Sequence, residues 1–84
     1  MRIIISPRAE KELRKIDKND LHQIVKAVEE LASEPLPRGC KKLVGHVSLY
    51  RIRSGNYRII YNYLNNDILI EIIRVGHRKD VYKF

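Results

Sequence analysis

Apolar positions recur along this chain with a helical period first and a strand-like one afterwards. Ile3, Ile4 and Ile5 form a short apolar run suited to a buried strand. Ser6-Pro7 ends it, because serine caps a helix and proline at the first helical position lacks only an N–H that has no partner there. Ala9, Leu13 and Ile16 then fall at i, i+4 and i+7, the thin apolar stripe of a mostly charged helix that stops near Asp17-Lys18-Asn19. Asp17 or Asn19 can cap a second helix. Leu21, Ile24, Val25, Val28, Leu31 and Ala32 give a stronger helical period, halted before Glu34-Pro35-Leu36-Pro37, where two prolines forbid continuation. The two periods predict a helical hairpin.

After a basic loop at 38–42, the pattern becomes runs rich in Ile, Val and Tyr at 47–53, 57–64 and 68–75, read as three strands. Gly55-Asn56 and Asn65-Asn66-Asp67 are turn-forming, so consecutive strands are expected to be antiparallel neighbours. The predicted order is β-α-α-β-β-β: an α+β fold whose N-terminal helical hairpin packs on a small, mainly antiparallel, twisted sheet. No repeat, low-complexity segment or Gly/Ser-rich linker interrupts the chain, and residues 1–84 read as one domain.

Composition narrows the function. Seventeen Lys+Arg against 10 Asp+Glu give a net charge of +7, and 44% apolar residues are enough for a core. The 84 residues exclude a multi-domain enzyme. Cys40 is the only cysteine, so no intramolecular disulfide forms; with no signal peptide at the start, a reducing cytoplasm is expected. No apolar run reaches membrane-spanning length. Residues 35–66 contain Arg38, Lys41, Lys42, Arg51, Arg53 and Arg58 and no Asp or Glu, which predicts a positive surface with nucleic acid as its first target.

Alternation puts Leu49, Arg51 and Arg53 on one strand face and Tyr50 and Ile52 on the other. With a two-residue loop at Gly55-Asn56, Ser54 falls opposite Tyr57, Arg53 opposite Arg58 and Arg51 opposite Ile60, gathering three guanidiniums. A three-residue loop would move Arg58 off that face. Like charges facing each other destabilise a strand pair by a few tenths to about 1 kcal/mol, so stability does not account for the choice, whereas an anion does. Solvation, or protection against edge pairing, is the plain alternative. Arginine at all three sites suits bidentate phosphate recognition. The opposite face, with Tyr50, Ile52, Tyr57, Ile59, Tyr61 and Tyr63, is the expected core against the helices. The chain closes on a basic, aromatic segment containing His77, Arg78 and Tyr82. His22, His46 and His77 are widely spaced with no cysteine or carboxylate at ligand spacing, so neither metal nor cofactor is expected.

Three stretches resemble the RelE/ParE toxin superfamily: Lys42-Leu43-Val44-Gly45, the hairpin Leu49-Tyr50-Arg51-Ile52-Arg53-Ser54-Gly55-Asn56-Tyr57-Arg58-Ile59-Ile60-Tyr61, and the ending Val75-Gly76-His77-Arg78-Lys79-Asp80-Val81-Tyr82. The likeness extends over essentially the whole chain. It implies a toxin of a toxin–antitoxin pair that, when RelE-like, acts on messenger RNA in the ribosomal A site, with the ribosome, mRNA and a cognate antitoxin as partners. By position, Arg51, Arg53, Arg58, Arg78 and Tyr82 match the family's catalytic basic residues and C-terminal tyrosine. Arg51 and Arg53 stand where well-known RelE members carry lysines.

The implied reaction is metal-independent: the 2′-hydroxyl attacks its own neighbouring phosphate, leaving a 2′,3′-cyclic phosphate and a free 5′-hydroxyl. Arg58 is expected to stabilise the phosphorane and Arg78 the phosphate and leaving oxygen. Arg51, Arg53, Lys41 and Lys42 would bind RNA, and Tyr82 would stack on or orient the nucleotide. Arginine stays protonated, so His77, whose ordinary pKa is near neutrality, is the candidate base or acid. Two alternatives stay open: a ParE-like toxin acting on DNA gyrase, and a catalytically inactive RNA-binding relative.

Overall fold

The computed structural model describes residues 1–64 and 68–77. Strand β1 (Arg2–Ile5) runs into helix α1 (Pro7–Arg14) through Ser6, whose hydroxyl accepts from Ala9 N at 3.1 Å as the expected N-cap, with Pro7 opening the helix. Helix α2 (Lys18–Glu30) begins before Asn19 because Asp17 supplies the cap, accepting from Asn19 N. Strands β2 (Lys41–Lys42), β3 (Leu49–Ser54), β4 (Tyr57–Asn62) and β5 (Leu69–His77) complete the order. The sheet order is β1-β5-β4-β3-β2; β1 pairs with β5 in parallel and the remaining pairs are antiparallel.

The α+β layering is as expected, with one strand more. The sequence pattern puts Lys41 and Lys42 in a loop, but they pair with Arg51 and Tyr50 at the sheet edge as β2. A two-residue strand carries no alternation to detect, and its order comes from its neighbour. The strand expected from Val47 starts at Leu49 instead, and Val47 is 82% exposed in the preceding loop. The β3–β4 register is the expected one, closed over Gly55, whose φ of +60° suits a two-residue hairpin turn. The turn expected at 65–67 lies outside the described residues.

The core sits between the helices and one sheet face. Ala9, Ile24, Val28 and Leu31 meet Ile52, Ile59, Tyr61, Ile70, Ile72 and Val75, while Tyr50, Tyr57 and Tyr63 are partly buried at its margin. Each fully buried isoleucine or leucine contributes about 1.5–3 kcal/mol. The Tyr61 hydroxyl donates to the Pro35 carbonyl at 2.6 Å, tying the central strand to the segment after α2.

Candidate functional site

The hairpin register sets the site. Directly opposed residues of an antiparallel pair share a face, so Arg53 with Arg58, Arg51 with Ile60, and Lys41 with Arg51 fall on the face turned away from the helical core. Lys42 pairs with Tyr50 and belongs to the other face. Lys41 and Arg53 are exposed and Arg51 is half-buried. Three strands thus present two adjacent cationic rows on one face, Lys41–Arg51 and Arg53–Arg58, with Arg58 on the innermost strand.

Arg58 departs from the expectation of an exposed cluster, being only 5% exposed. Its Nη1 donates to the carbonyl of neighbouring Tyr57 at 3.3 Å, a long contact, and its Nε is buried with no hydrogen-bond partner among the described residues. Across β4–β5 it faces Gly76, so β5 sets no side chain beside the guanidinium. A buried charge with an unmatched donor is costly to the fold. Phosphate oxygens, presented to Nε and an Nη together, match such a group bidentately. Ile60, in the next row, is fully buried on this same face and flanked in register by Arg51 and Arg74, long side chains able to lay methylene stems along apolar surface.

His77 lies elsewhere. It pairs with Tyr57, its ring edge-on to the tyrosine with centroids 5.2 Å apart, on the sheet face opposite Arg58. The structure therefore brings together Lys41, Arg51, Arg53 and Arg58 but not His77 or Lys42. Arg78 and Tyr82 lie outside the described residues. Among the described residues no group of His, Cys, Asp and Glu is placed to hold a metal ion, and no helix is long and apolar enough to cross a membrane.

Sequence reading does not reveal the Glu12–Arg74 pair. Arg74 Nε and Nη2 donate to Glu12 Oε2 at 3.0 and 2.9 Å, and Val75 N donates to Glu12 Oε1 at 2.9 Å. The signal available is an arginine inside an apolar strand run, Ile72-Ile73-Arg74-Val75. Tyr61 is the one described group with a displaced pKa: burial, then the nearby Cys40 thiol, hold its phenol above its usual value of 10.0.

A family model described as the ParE toxin of the type II toxin–antitoxin system parDE matches residues 3–82. Toxin RelE3 of Methanocaldococcus jannaschii is 32% identical over 88 aligned positions, covering 100% of this chain and 98% of the relative. The archaeal RelE–RelB complex from Pyrococcus horikoshii contains a chain of similar fold, with TM-score 0.81, 30% identity, and coverage of 95% of this chain and 97% of that one. The intact Escherichia coli RelBE toxin–antitoxin complex gives TM-score 0.77 and 29% identity over 90% of this chain and 94% of that one. With its family match over nearly the full length and its two helices on a mixed five-stranded sheet, the chain belongs to the RelE/ParE superfamily of type II toxins.

Proposed function

We propose that this toxin is a metal-independent endoribonuclease that cleaves messenger RNA in the ribosomal A site and is restrained by a cognate antitoxin. The observation that carries the reading is Arg58, a nearly buried guanidinium whose Nε–H is unmatched among the described residues, on one face with Lys41, Arg51 and Arg53. In RNA the nucleophile is the substrate's own 2′-hydroxyl, which loses its proton to solvent as its oxygen bonds the phosphorus and the P–O5′ bond breaks, the departing 5′-oxygen taking a proton from solvent. The protein holds the reacting atoms in line and neutralises the phosphorane. Arg58 supplies that neutralisation, and Lys41, Arg51 and Arg53 hold flanking phosphates. Arg78 on the leaving oxygen and Tyr82 against the nucleotide complete the set by family resemblance.

His77, across the sheet from Arg58, receives no proton-transfer role. In-line alignment of the substrate by the ribosome then carries much of the rate. Solved relatives occur as RelE–RelB complexes, which supports a protein antitoxin for this chain as well.

Primer extension on mRNA held in programmed ribosomes with a defined A-site codon tests the reading. A new stop within that codon is expected. No stop with folded toxin, together with cleavage of supercoiled plasmid in the presence of gyrase, would transfer the function to the gyrase-poisoning branch of the superfamily.

A further inference from the structure

One irregularity of the sheet decides what stands beside Arg58. Between β4 and β5 the register runs Asn62–Glu71, Tyr61–Ile72, then skips to Ile60–Arg74, Ile59–Val75, Arg58–Gly76 and Tyr57–His77, leaving Ile73 as an extra residue in a bulge. Were the ladder to run on from Tyr61–Ile72 without the bulge, Ile73 would face Ile60, Arg74 would face Ile59 in the core, and Val75 would face Arg58. Side-chain period is two, so the bulge reverses the facing of the strand beyond it. Val75 thereby enters the core, and Gly76, with no side chain, falls opposite Arg58.

Helix α1 grips this bulge at successive residues. β1 stops pairing at Ile5–Ile72, and Ser6 N then donates to Ile72 O at 2.9 Å while Ser6 Oγ donates to Ile73 O at 3.0 Å. Further along the helix, Glu12 takes both the Arg74 guanidinium and the Val75 N–H. The Arg74 side chain is 6% exposed and that of Glu12 22%. A buried ion pair is a poor source of net stability compared with apolar groups of the same volume, and its best-attested service is fixing register. A carboxylate that binds a side chain and the next backbone N–H at once constrains the strand more tightly than a packed methyl would.

We propose that Glu12 is a positioning residue, which by clamping Arg74 and Val75 locks the β5 bulge and so keeps Gly76 opposite Arg58 in the phosphate-binding row. This inference rests on the endoribonuclease reading for its functional consequence. Glu12 touches no reacting atom; it acts through the strand.

The test compares wild type, Glu12→Gln and Arg74→Lys in single-turnover A-site cleavage, with amide hydrogen exchange and the Tyr57–His77 Hα–Hα contact followed by NMR. Glu12→Gln keeps shape and one acceptor but loses charge; should it not fold, Arg74→Lys, which keeps a donor on Glu12, carries the same comparison. Expected are faster exchange at Val75 and Gly76, a weakened cross-strand contact, and a maximal cleavage rate lower by about tenfold or more, within the range a small misplacement produces. The toxin concentration giving half-maximal rate should stay within about twofold, because the phosphate-binding cations are intact. A lower melting temperature with an unchanged maximal rate makes the pair merely structural and overturns the proposal, as do unchanged exchange and rate. A wild type that cuts nothing defeats the proposed function and this inference with it, whereas equal cutting by wild type and variants defeats this inference alone.

Discussion

Replacing Tyr61 with phenylalanine removes one oxygen from the centre of the fold, and the structure gives the size of the effect. The hydroxyl is buried and donates to the Pro35 carbonyl at 2.6 Å, so Tyr61→Phe deletes a short hydrogen bond and leaves that acceptor short of a partner. Such a deletion costs about 1–2 kcal/mol, and in a domain of this size each kcal/mol lowers the melting temperature by roughly 4–8 °C. A second arm uses pH. The folded phenol is held above its usual value of 10.0, so below that pH both states are protonated and the contribution is complete. Above it the unfolded phenol ionises while the folded one stays neutral, the unfolded state binds fewer protons, and stability falls by at most about 1.4 kcal/mol per pH unit. Tyr61→Phe lacks this term. Urea unfolding at pH 7 should therefore show the mutant less stable by about 1–2 kcal/mol, with the gap narrowing from pH 10 to 11. Equal stabilities at pH 7, or a gap that stays constant with pH, would refute the reasoning.

Arg58→Met should leave the fold as stable or more stable by about 1–2 kcal/mol while abolishing cleavage, since it exchanges a buried, incompletely bonded charge for an apolar chain; a lower urea midpoint would contradict this. His77→Ala should retain cleavage within about threefold between pH 6 and 8, because its ring lies across the sheet from Arg58; loss of the chemical step would return it to the catalytic set. Arg53→Ala should reduce the salt dependence of single-stranded RNA binding by about 0.7 in log–log slope, the value for one phosphate contact; an unchanged slope would remove Arg53 from the RNA path.

The sequence carries the β3–β4 hairpin down to its register because Gly55-Asn56 fixes both loop length and twist, and register then dictates that Arg53 meets Arg58. Ser6-Pro7 likewise announces the start of α1 through local chemistry alone. Features that escape a sequence reading depend on distant partners. Lys41–Lys42 is a strand only because Arg51 and Tyr50 lie alongside. Glu12 looks like one more charge on a polar helix, and its role appears only when Arg74 and Val75, more than sixty positions away, are brought to it. The bulge at Ile73 reverses strand phase, and simple alternation read through the apolar run 68–75 cannot reveal on which side His77 emerges. Alternation places Arg58 on the correct face, but its burial comes from its position on a central strand.

On the proposed function, the cationic face around Arg58 performs chemistry on RNA and does not merely dock. Single-turnover cleavage of A-site mRNA at saturating toxin, wild type against Arg58→Ala, tests it most directly. A rate lower by about 10²–10³-fold is expected, the loss typical of removing one preorganised donor to a developing charge, with affinity for the programmed ribosome nearly unchanged. An unchanged maximal rate with weakened ribosome binding would contradict it and make Arg58 a docking residue.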